Sequence, residues 1–255
     1  MRNFGVIGKS LNYSFSPQYF KDKFNALSID DCSYKAFELF SIDQIEELIR
    51  NKDLDGFNVT IPYKQSIIKY LDVMSPIACE INSVNTVTVK NGLLCGDNTD
   101  YEGFGSSLLR HIQSHHKKAL IFGTGGSSRT ISYVLKTLGI ECTRVSQSND
   151  NLLNYNQLNP KTIQSNQLLV NTTPLGTFPV VDDCVDIPYS SITDNHLCYD
   201  LVYNPKESLF LANSKSNGAT IVNGLEMLAI QADKSWEIWN SRNFSILHGN
   251  NYEKN

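Results

Sequence analysis

Apolar positions along this chain follow two rhythms: short strand-like runs with a period near two, and stretches spaced by three and four as on a helix face. The two kinds of segment alternate, which is the pattern of α/β architecture. "NFGVIG" (3–8) reads as an apolar strand ending on glycine. "SPQYFKDKFNAL" then predicts a helix with Ser16 as N-cap and Pro17 at its first position. Phe20, Phe24 and Leu27 share its buried face. "SIDQIEELI" opens with the capping-box pattern of Ser41 and Gln44. "GFNVTI" is a strand, and Pro62 opens a predicted helix "YKQSIIKYL" with Lys64 at its start. "SPIACEI" repeats the Ser-Pro start at Ser75 and Pro76, and "NTVTVKNGLLCG" alternates on both sides of Asn91-Gly92, a strong hairpin signal.

After "NTDYEGFGSSLLRHI", expected as a connecting helix, and the polar loop "HIQSHHKK", the character of the chain changes. "KKALIFGTGGSSRTISYVLKTLGIECTRVSQ" reads as strand, Gly-rich turn, helix and second strand, with Ile131, Val134, Leu135 and Leu138 inward and Gly139 stopping the helix. This is a βαβ unit of the length a nucleotide-binding half needs. Further short strands are expected in "NQLLVNTTPLG", "HLCYDLVYNP" and "GATIVNG", each followed by a turn or helix.

Composition narrows the function classes. With 255 residues, 41% hydrophobic and 19% charged, the chain is long enough for one large or two ordinary globular domains. A net charge of -4 gives no electrostatic bias toward nucleic acid or an anionic membrane. No apolar run approaches the roughly 20 residues of a spanning helix, and a cytoplasmic protein is expected. The six cysteines are scattered without a CxxC pair, and the five histidines show no HExxH spacing, so no metal site is predicted.

Two features suggest chemistry. In "GTGGSS", Gly123 allows a tight strand-to-helix turn, and Gly125 leaves room for a pyrophosphate at the helix N-terminus, where unpaired N–H groups attract negative charge. Ser128 is small enough for the third glycine position. About twenty residues on, an acidic residue would hold the ribose of NAD and an arginine the 2′-phosphate of NADP. Here stand Ser146, Gln147 and Ser148, which meet neither pattern; Arg144 is near, with its direction undetermined. The second feature is a set of polar turns, "NYSFSP", "NVTIPYK", "VNTV", "GDNTD" and "NGLEMLAIQA". Such residues favour caps and turns for local backbone reasons, yet together they would also line a pocket for a polyhydroxylated ligand. In that setting Lys64 and Asp100 form a pair able to pass one proton; the alternative for Lys64 is a solvated cation at a helix start.

These same stretches resemble the shikimate dehydrogenase family over nearly the whole chain. "GVIGKSLNYSFSP" is similar to its opening strand and SxSP turn, "NVTIPYK" to its NVTxPxK signature, and Asn85-Thr86 and "DNTD" to its NT and NTD turns. "GTGGSSR", "NTTPLG", "DLVYNP" and "NGLEMLAIQA" follow in the family's order. The resemblance implies a two-domain α/β enzyme. Residues 1–100 with 223–255 would form a substrate-binding domain with a mixed, mainly parallel sheet, residues 101–222 a Rossmann-type NADP-binding domain, and the active site the cleft between them. It implies reversible hydride transfer between NADP(H) and shikimate or 3-dehydroshikimate, in the shikimate pathway of aromatic amino acid biosynthesis. Lys64 and Asp100 would be catalytic, with Asp100 also among the substrate contacts. Ser14, Ser16 and Tyr203 would bind the substrate carboxylate, and Thr60, Asn85 and Gln231 the ring hydroxyls. Gly123, Thr124, Gly125, Gly126 and Ser127 would cradle the pyrophosphate, with Ser146 and Gln147 at the adenosine ribose and Thr172 and Gly224 beside the nicotinamide.

The chain departs from the family pattern in three places. Tyr13 stands where histidine usually precedes the first serine, and Thr177 where methionine usually follows NTTPLG. The arginine of the Asn-Arg-Thr clamp for the 2′-phosphate is replaced by Gln147, which leaves NAD open as a cofactor and predicts weaker discrimination against it. Alternatives are a quinate/shikimate dehydrogenase using NAD and a nucleotide-sensing relative without turnover; the paired serines disfavour the first and the presence of both Lys64 and Asp100 the second. The expected partner is a small-molecule substrate, for a monomer or homodimer.

Overall fold

The computed structural model describes residues 1–148 and 151–241. The part of the tail "SRNFSILHGNNYEKN" from position 242 onward lies outside them. Contacts divide the chain into two compact units, Met1–Thr99 with the chain from Ala232 onward, and Asp100–Gln231.

The first unit holds β1 (Arg2–Gly8), α1 (Phe15–Ala26), β2 (Cys32–Glu38), α2 (Ile45–Lys52), β3 (Gly56–Val59), β4 (Val73–Met74), α3 (Pro76–Ile81), β5 (Thr86–Lys90) and β6 (Leu93–Asp97). Its sheet runs β2-β1-β3-β5-β6-β4. β1 pairs in parallel with β2 and β3, β4 with β6, and the β3/β5 and β5/β6 pairs are antiparallel. The β5–β6 hairpin turns at Asn91 and Gly92, both with positive φ (53° and 78°), as a type I′ turn requires. β3 lies between β1 and β5, and all four of its residues are buried, with Phe57 and Val59 in the apolar core.

Several local expectations hold. Ser41 and Gln44 form the capping box, which starts a short 3₁₀ turn leading into α2, and the Ser75 side chain caps Ala78 at the head of α3. Others are corrected. α1 begins at Phe15 with Ser14 as N-cap, so Pro17 sits at the third helical position, still within the turn whose N–H groups have no helical partner. Phe20 and Phe24 face inward, but the helix ends at Ala26 and Leu27 is 55% exposed. "YKQSIIKYL" is not an α-helix: Ile61–Gln65 form a turn and Ser66–Tyr70 a 3₁₀ helix, so Lys64 lies in the turn. There the Lys64 carbonyl accepts from Val84 N at 2.8 Å, a long-range bond that competes with helix formation. β2, a polar edge strand, and the two-residue β4 carry too weak an apolar pattern to be foreseen.

The second unit holds α4 (Asp100–Leu108), β7 (Lys118–Phe122), α5 (Gly126–Thr137), β8 (Glu141–Ser146), β9 (Leu153–Asn154), α6 (Pro160–Gln164), β10 (Leu168–Asn171), β11 (Leu197–Asp200), α7 (Leu209–Ser216) and β12 (Thr220–Val222). Its strands are all parallel in the order β12-β11-β10-β7-β8-β9. Numbered within the unit this is the doubly wound order 3-2-1-4-5-6, whose direction reverses between β7 and β10. Ala119 and Ile121 face one core with Ile131, Val134 and Leu135 of α5, whereas Leu120 and Phe122 face a second with Phe210 and Leu211 of α7. Burial on both faces explains the near-continuous apolar strands.

The last helix, α8 (Leu225–Asn240), contributes to both cores. Met227 packs with Phe104 and Leu108, while Ala232 and Trp239 pack with Phe4, Phe20 and Phe24. The second crossing of the chain therefore falls at 231/232, nine residues beyond the expected 222/223, because the apolar face of α8 changes partners along its length.

Candidate active site

In the first unit the polar residues converge on β3. Asn58 is buried; its Oδ1 accepts from Tyr34 Oη (2.8 Å), and its Nδ2 donates to Asn85 O (3.2 Å), Thr86 Oγ1 (3.2 Å) and Ser235 Oγ (2.9 Å). Asn85, 2% exposed, donates from Nδ2 to Thr99 Oγ1 (3.0 Å) and accepts Thr99 N on Oδ1 (2.7 Å). Burial pushes the pKa of the Tyr34 phenol well above its ordinary value, with Ser16 opposing the shift. A continuous chain of hydrogen bonds links Tyr34 through Asn58 to Asn85 and Thr99. Fully satisfied buried networks of this kind hold their members in one geometry. Tyr34, Asn58, Thr86, Thr99 and Ser235 have no site role in the sequence reading; Asn58, Thr86 and Thr99 lie inside the quoted motifs, while Tyr34 and Ser235 carry no local signal.

Ser14 caps α1 through its backbone conformation, without a side-chain bond to the helix, and is half-buried, as are Thr60 and Lys64. Thr60 N donates to Ile7 O (2.9 Å) and Thr60 O accepts from Tyr63 N (2.9 Å), which fixes the start of the turn that carries Lys64. In the same turn Gln65 Nε2 is a buried donor with no hydrogen-bond partner among the described residues.

In the second unit the Gly-rich turn leaves β7 at the point where strand order reverses. Gly123 has φ 116°, and a Cβ there would sit 2.6 Å from Thr172 Oγ1, so both conformation and space require glycine. Thr172 in turn donates from Oγ1 to Phe122 O (2.7 Å), which locks the turn after β10 against the turn after β7. Gly125, the N-cap of α5, has an ordinary φ of -71°, and a Cβ there would meet nothing within 4 Å. With no side-chain cap, the first-turn N–H groups of this helix remain available to an anion. Arg129 Nε, one turn into α5, is buried without a partner among the described residues. These features fit a pyrophosphate. Further along, Ser146 is buried and accepts Ser148 N on Oγ (3.2 Å), while Gln147 and Ser148 are exposed.

Gly224 is set by close packing: a Cβ there would collide with Leu201 O, and its N donates to Val202 O (3.1 Å). Tyr203 follows in the same turn and is half-buried. Asp100 begins α4 and is 4% exposed, and Gln231, also buried, donates to Leu228 O (3.0 Å). A further residue, Asp200, ends β11 fully buried. Its carboxyl is pushed up to about 6 by burial, although Ser208, Val202 N and Asn171 all donate to it and pull the other way. Among the described residues no three His, Cys, Asp or Glu side chains come together to hold a metal, and no helix is long and apolar enough to cross a membrane.

A doubly wound parallel sheet with an uncapped helix N-terminus at its reversal point defines a dinucleotide-binding α/β protein, here joined to a second α/β unit rich in buried amides and hydroxyls. Residues 6–87 match the shikimate dehydrogenase substrate binding domain. The shikimate dehydrogenase (NADP(+)) of Clostridium botulinum strain Hall is 39% identical over 92% of this chain and 95% of its own length. A crystal structure of shikimate dehydrogenase 1 from Peptoclostridium difficile is 38% identical, with TM-score 0.83 over 94% of this chain and 92% of that one. That of shikimate 5-dehydrogenase from Thermus thermophilus, in complex with NADP(H) and shikimate, is 28% identical with TM-score 0.82, covering 94% of each chain. The chain belongs to the shikimate dehydrogenase family.

Proposed function

We propose that the protein is a shikimate dehydrogenase that reversibly reduces 3-dehydroshikimate to shikimate with NADPH, acting in the cytoplasm. The observation that carries this reading is the family relationship along 92% of the chain, together with an intact Gly-rich turn and the buried network around Asn58 and Asn85. When bound, NADPH supplies the hydride that reaches C3 of the substrate. Lys64 donates the proton taken up by the C3 oxygen and accepts it back in the oxidising direction; Asp100 positions the ammonium and contacts a ring hydroxyl. Ser14, Ser16 and Tyr203 bind the substrate carboxylate, and Thr60, Asn85 and Gln231 the hydroxyls. Gly123 to Ser127 cradle the pyrophosphate, Ser146 and Gln147 meet the adenosine ribose, and Thr172 and Gly224 flank the nicotinamide.

Steady-state kcat/KM for shikimate and quinate, each with NADP and NAD, tests the reading. Turnover of shikimate with NADP as the best pair is expected. Preference for quinate with NAD would overturn the substrate assignment, and absence of turnover with every pair would overturn the enzymatic one.

A further inference from the structure

The turn that holds Thr172 and the turn that holds Tyr203 leave adjacent parallel strands, and one buried side-chain pair ties them together. Asn171, the last residue of β10, stands in register with Asp200, the last of β11. Asn171 Nδ2 donates to Asp200 Oδ1 at 2.9 Å, and the same oxygen accepts Val202 N at 3.0 Å. On the other side Asn171 Oδ1 accepts Thr173 N (3.0 Å) and Thr173 Oγ1 (2.7 Å). Asp200 Oδ2 accepts the hydroxyl of Ser208, the residue that caps α7. Thr172 is therefore flanked by two residues that this chain of bonds fixes, and Tyr203 directly follows the amide held by Asp200. Two backbone bonds run alongside: Leu201 N to Asn171 O (3.0 Å), and Phe178 N to Asn204 O (2.9 Å).

We propose that Asp200 is a positioning residue for the reaction, holding the nicotinamide-side Thr172 turn and the substrate-side Tyr203 turn in one fixed relation through its bridge to Asn171; the roles of the two turns rest on the function proposed above. A fully buried carboxylate is a poor device for stability alone, since a well-packed apolar pair of similar volume commonly serves as well or better. What an apolar pair cannot do is accept three directional donors from two turns and a helix cap. Burial pushes the Asp200 carboxyl up to about 6, and only those three donors oppose that shift and favour the charged form.

The test compares Asp200→Ala with Asp200→Asn, which keeps an acceptor oxygen. Amide hydrogen exchange at residues 173 and 202, binding of adenosine 2′,5′-bisphosphate, and kcat/KM for shikimate are measured for each. Asp200→Ala is expected to lose protection at both amides by about tenfold or more and to lower kcat/KM on the order of a hundredfold, the size of effect that misplacement of a contact by about 1 Å produces. Binding of the bisphosphate, which has no nicotinamide, should remain at the wild-type value, and Asp200→Asn should recover most of the protection and of kcat/KM for shikimate. Unchanged protection in both turns of Asp200→Ala overturns the proposal, as does wild-type kcat/KM with the protection lost. If Asp200→Ala does not fold, Asn171→Ala cuts the same bridge from the other strand and carries the same expectations. A wild-type protein that does not turn over shikimate would defeat the functional reading separately, and the exchange measurement would still decide whether Asp200 holds the two turns.

Discussion

Ser235 and Asn58 lie 177 residues apart in sequence, yet Asn58 Nδ2 donates to Ser235 Oγ at 2.9 Å inside the first unit. The C-terminal helix thereby completes the polar core that the N-terminal sheet begins. Ser235 Oγ also meets Thr86 Oγ1 (2.9 Å) and Thr99 Oγ1 (3.2 Å), so no water has to be buried to satisfy these groups. Replacing Ser235 with alanine removes one partner from each of three buried polar groups. A loss of about 1–3 kcal/mol in unfolding free energy is expected, read from urea denaturation at unchanged slope. A variant as stable as wild type would show that the network does not depend on the helix.

Two glycines of the Gly-rich turn, Gly123 and Gly125, should separate folding from binding. Gly123→Ala forces a Cβ into a positive-φ position against Thr172, and a destabilisation of roughly 1–3 kcal/mol is expected. Gly125→Ala meets neither strain nor contact and should fold at least as stably as wild type. Its added methyl would nevertheless stand where the pyrophosphate approaches α5, so KM for NADP should rise about tenfold or more. Melting temperatures and KM for each variant check the contrast; an unaltered KM in Gly125→Ala would place the phosphates elsewhere.

Legibility in the sequence differed by the range of the interaction. The hairpin at Asn91-Gly92, the caps at Ser41 and Ser75 and the βαβ unit around Gly123 are local devices, and each was readable from neighbouring residues. Lys64 is expected on a helix because Pro62 can open one; the Val84 N–H, twenty positions on, holds the chain in a turn instead. Tyr34 and Ser235 acquire meaning only once β2 and α8 are packed beside β3, and no local pattern marks them. Asp200 was visible inside "DLVYNP" but gained a role only when β10 was seen beside β11.

Gln147 stands where an arginine clamp would be expected, and it is exposed beside the buried Ser146. A charge-assisted bidentate contact contributes about 1.5–3 kcal/mol, so wild-type preference for NADP over NAD is expected to stay below roughly a thousandfold. Gln147→Arg should increase that preference by about tenfold to hundredfold. The ratio of kcat/KM for the two cofactors in both proteins decides it; a variant with an unchanged ratio would mean that the 2′-phosphate does not reach this position.

Burial gives Asp200 a pH signature of defined sign. Its carboxyl titrates near 6 when folded and near the ordinary carboxylate value when unfolded, so between about pH 4 and 6 the folded state binds more protons. The contribution of this group to stability is therefore full below about pH 4 and is lost as pH rises through 6. Asp200→Asn cannot titrate, and its melting temperature relative to wild type should climb from pH 4 to pH 7. A difference that is flat over this range would mean that the carboxyl is not held up by burial.

The largest effect on turnover is expected at Lys64. Its turn is fixed at both ends, by Thr60 O with Tyr63 N and by the Lys64 carbonyl with Val84 N, so an alanine at this position leaves the backbone bonds in place. Lys64→Ala should accordingly fold and bind shikimate while kcat falls by about 10²–10⁴-fold, the usual contribution of a positioned proton donor. Calorimetric binding and single-turnover kinetics separate the two effects. Loss of binding in parallel with kcat would make Lys64 a substrate contact, and unchanged turnover would remove it from proton transfer altogether.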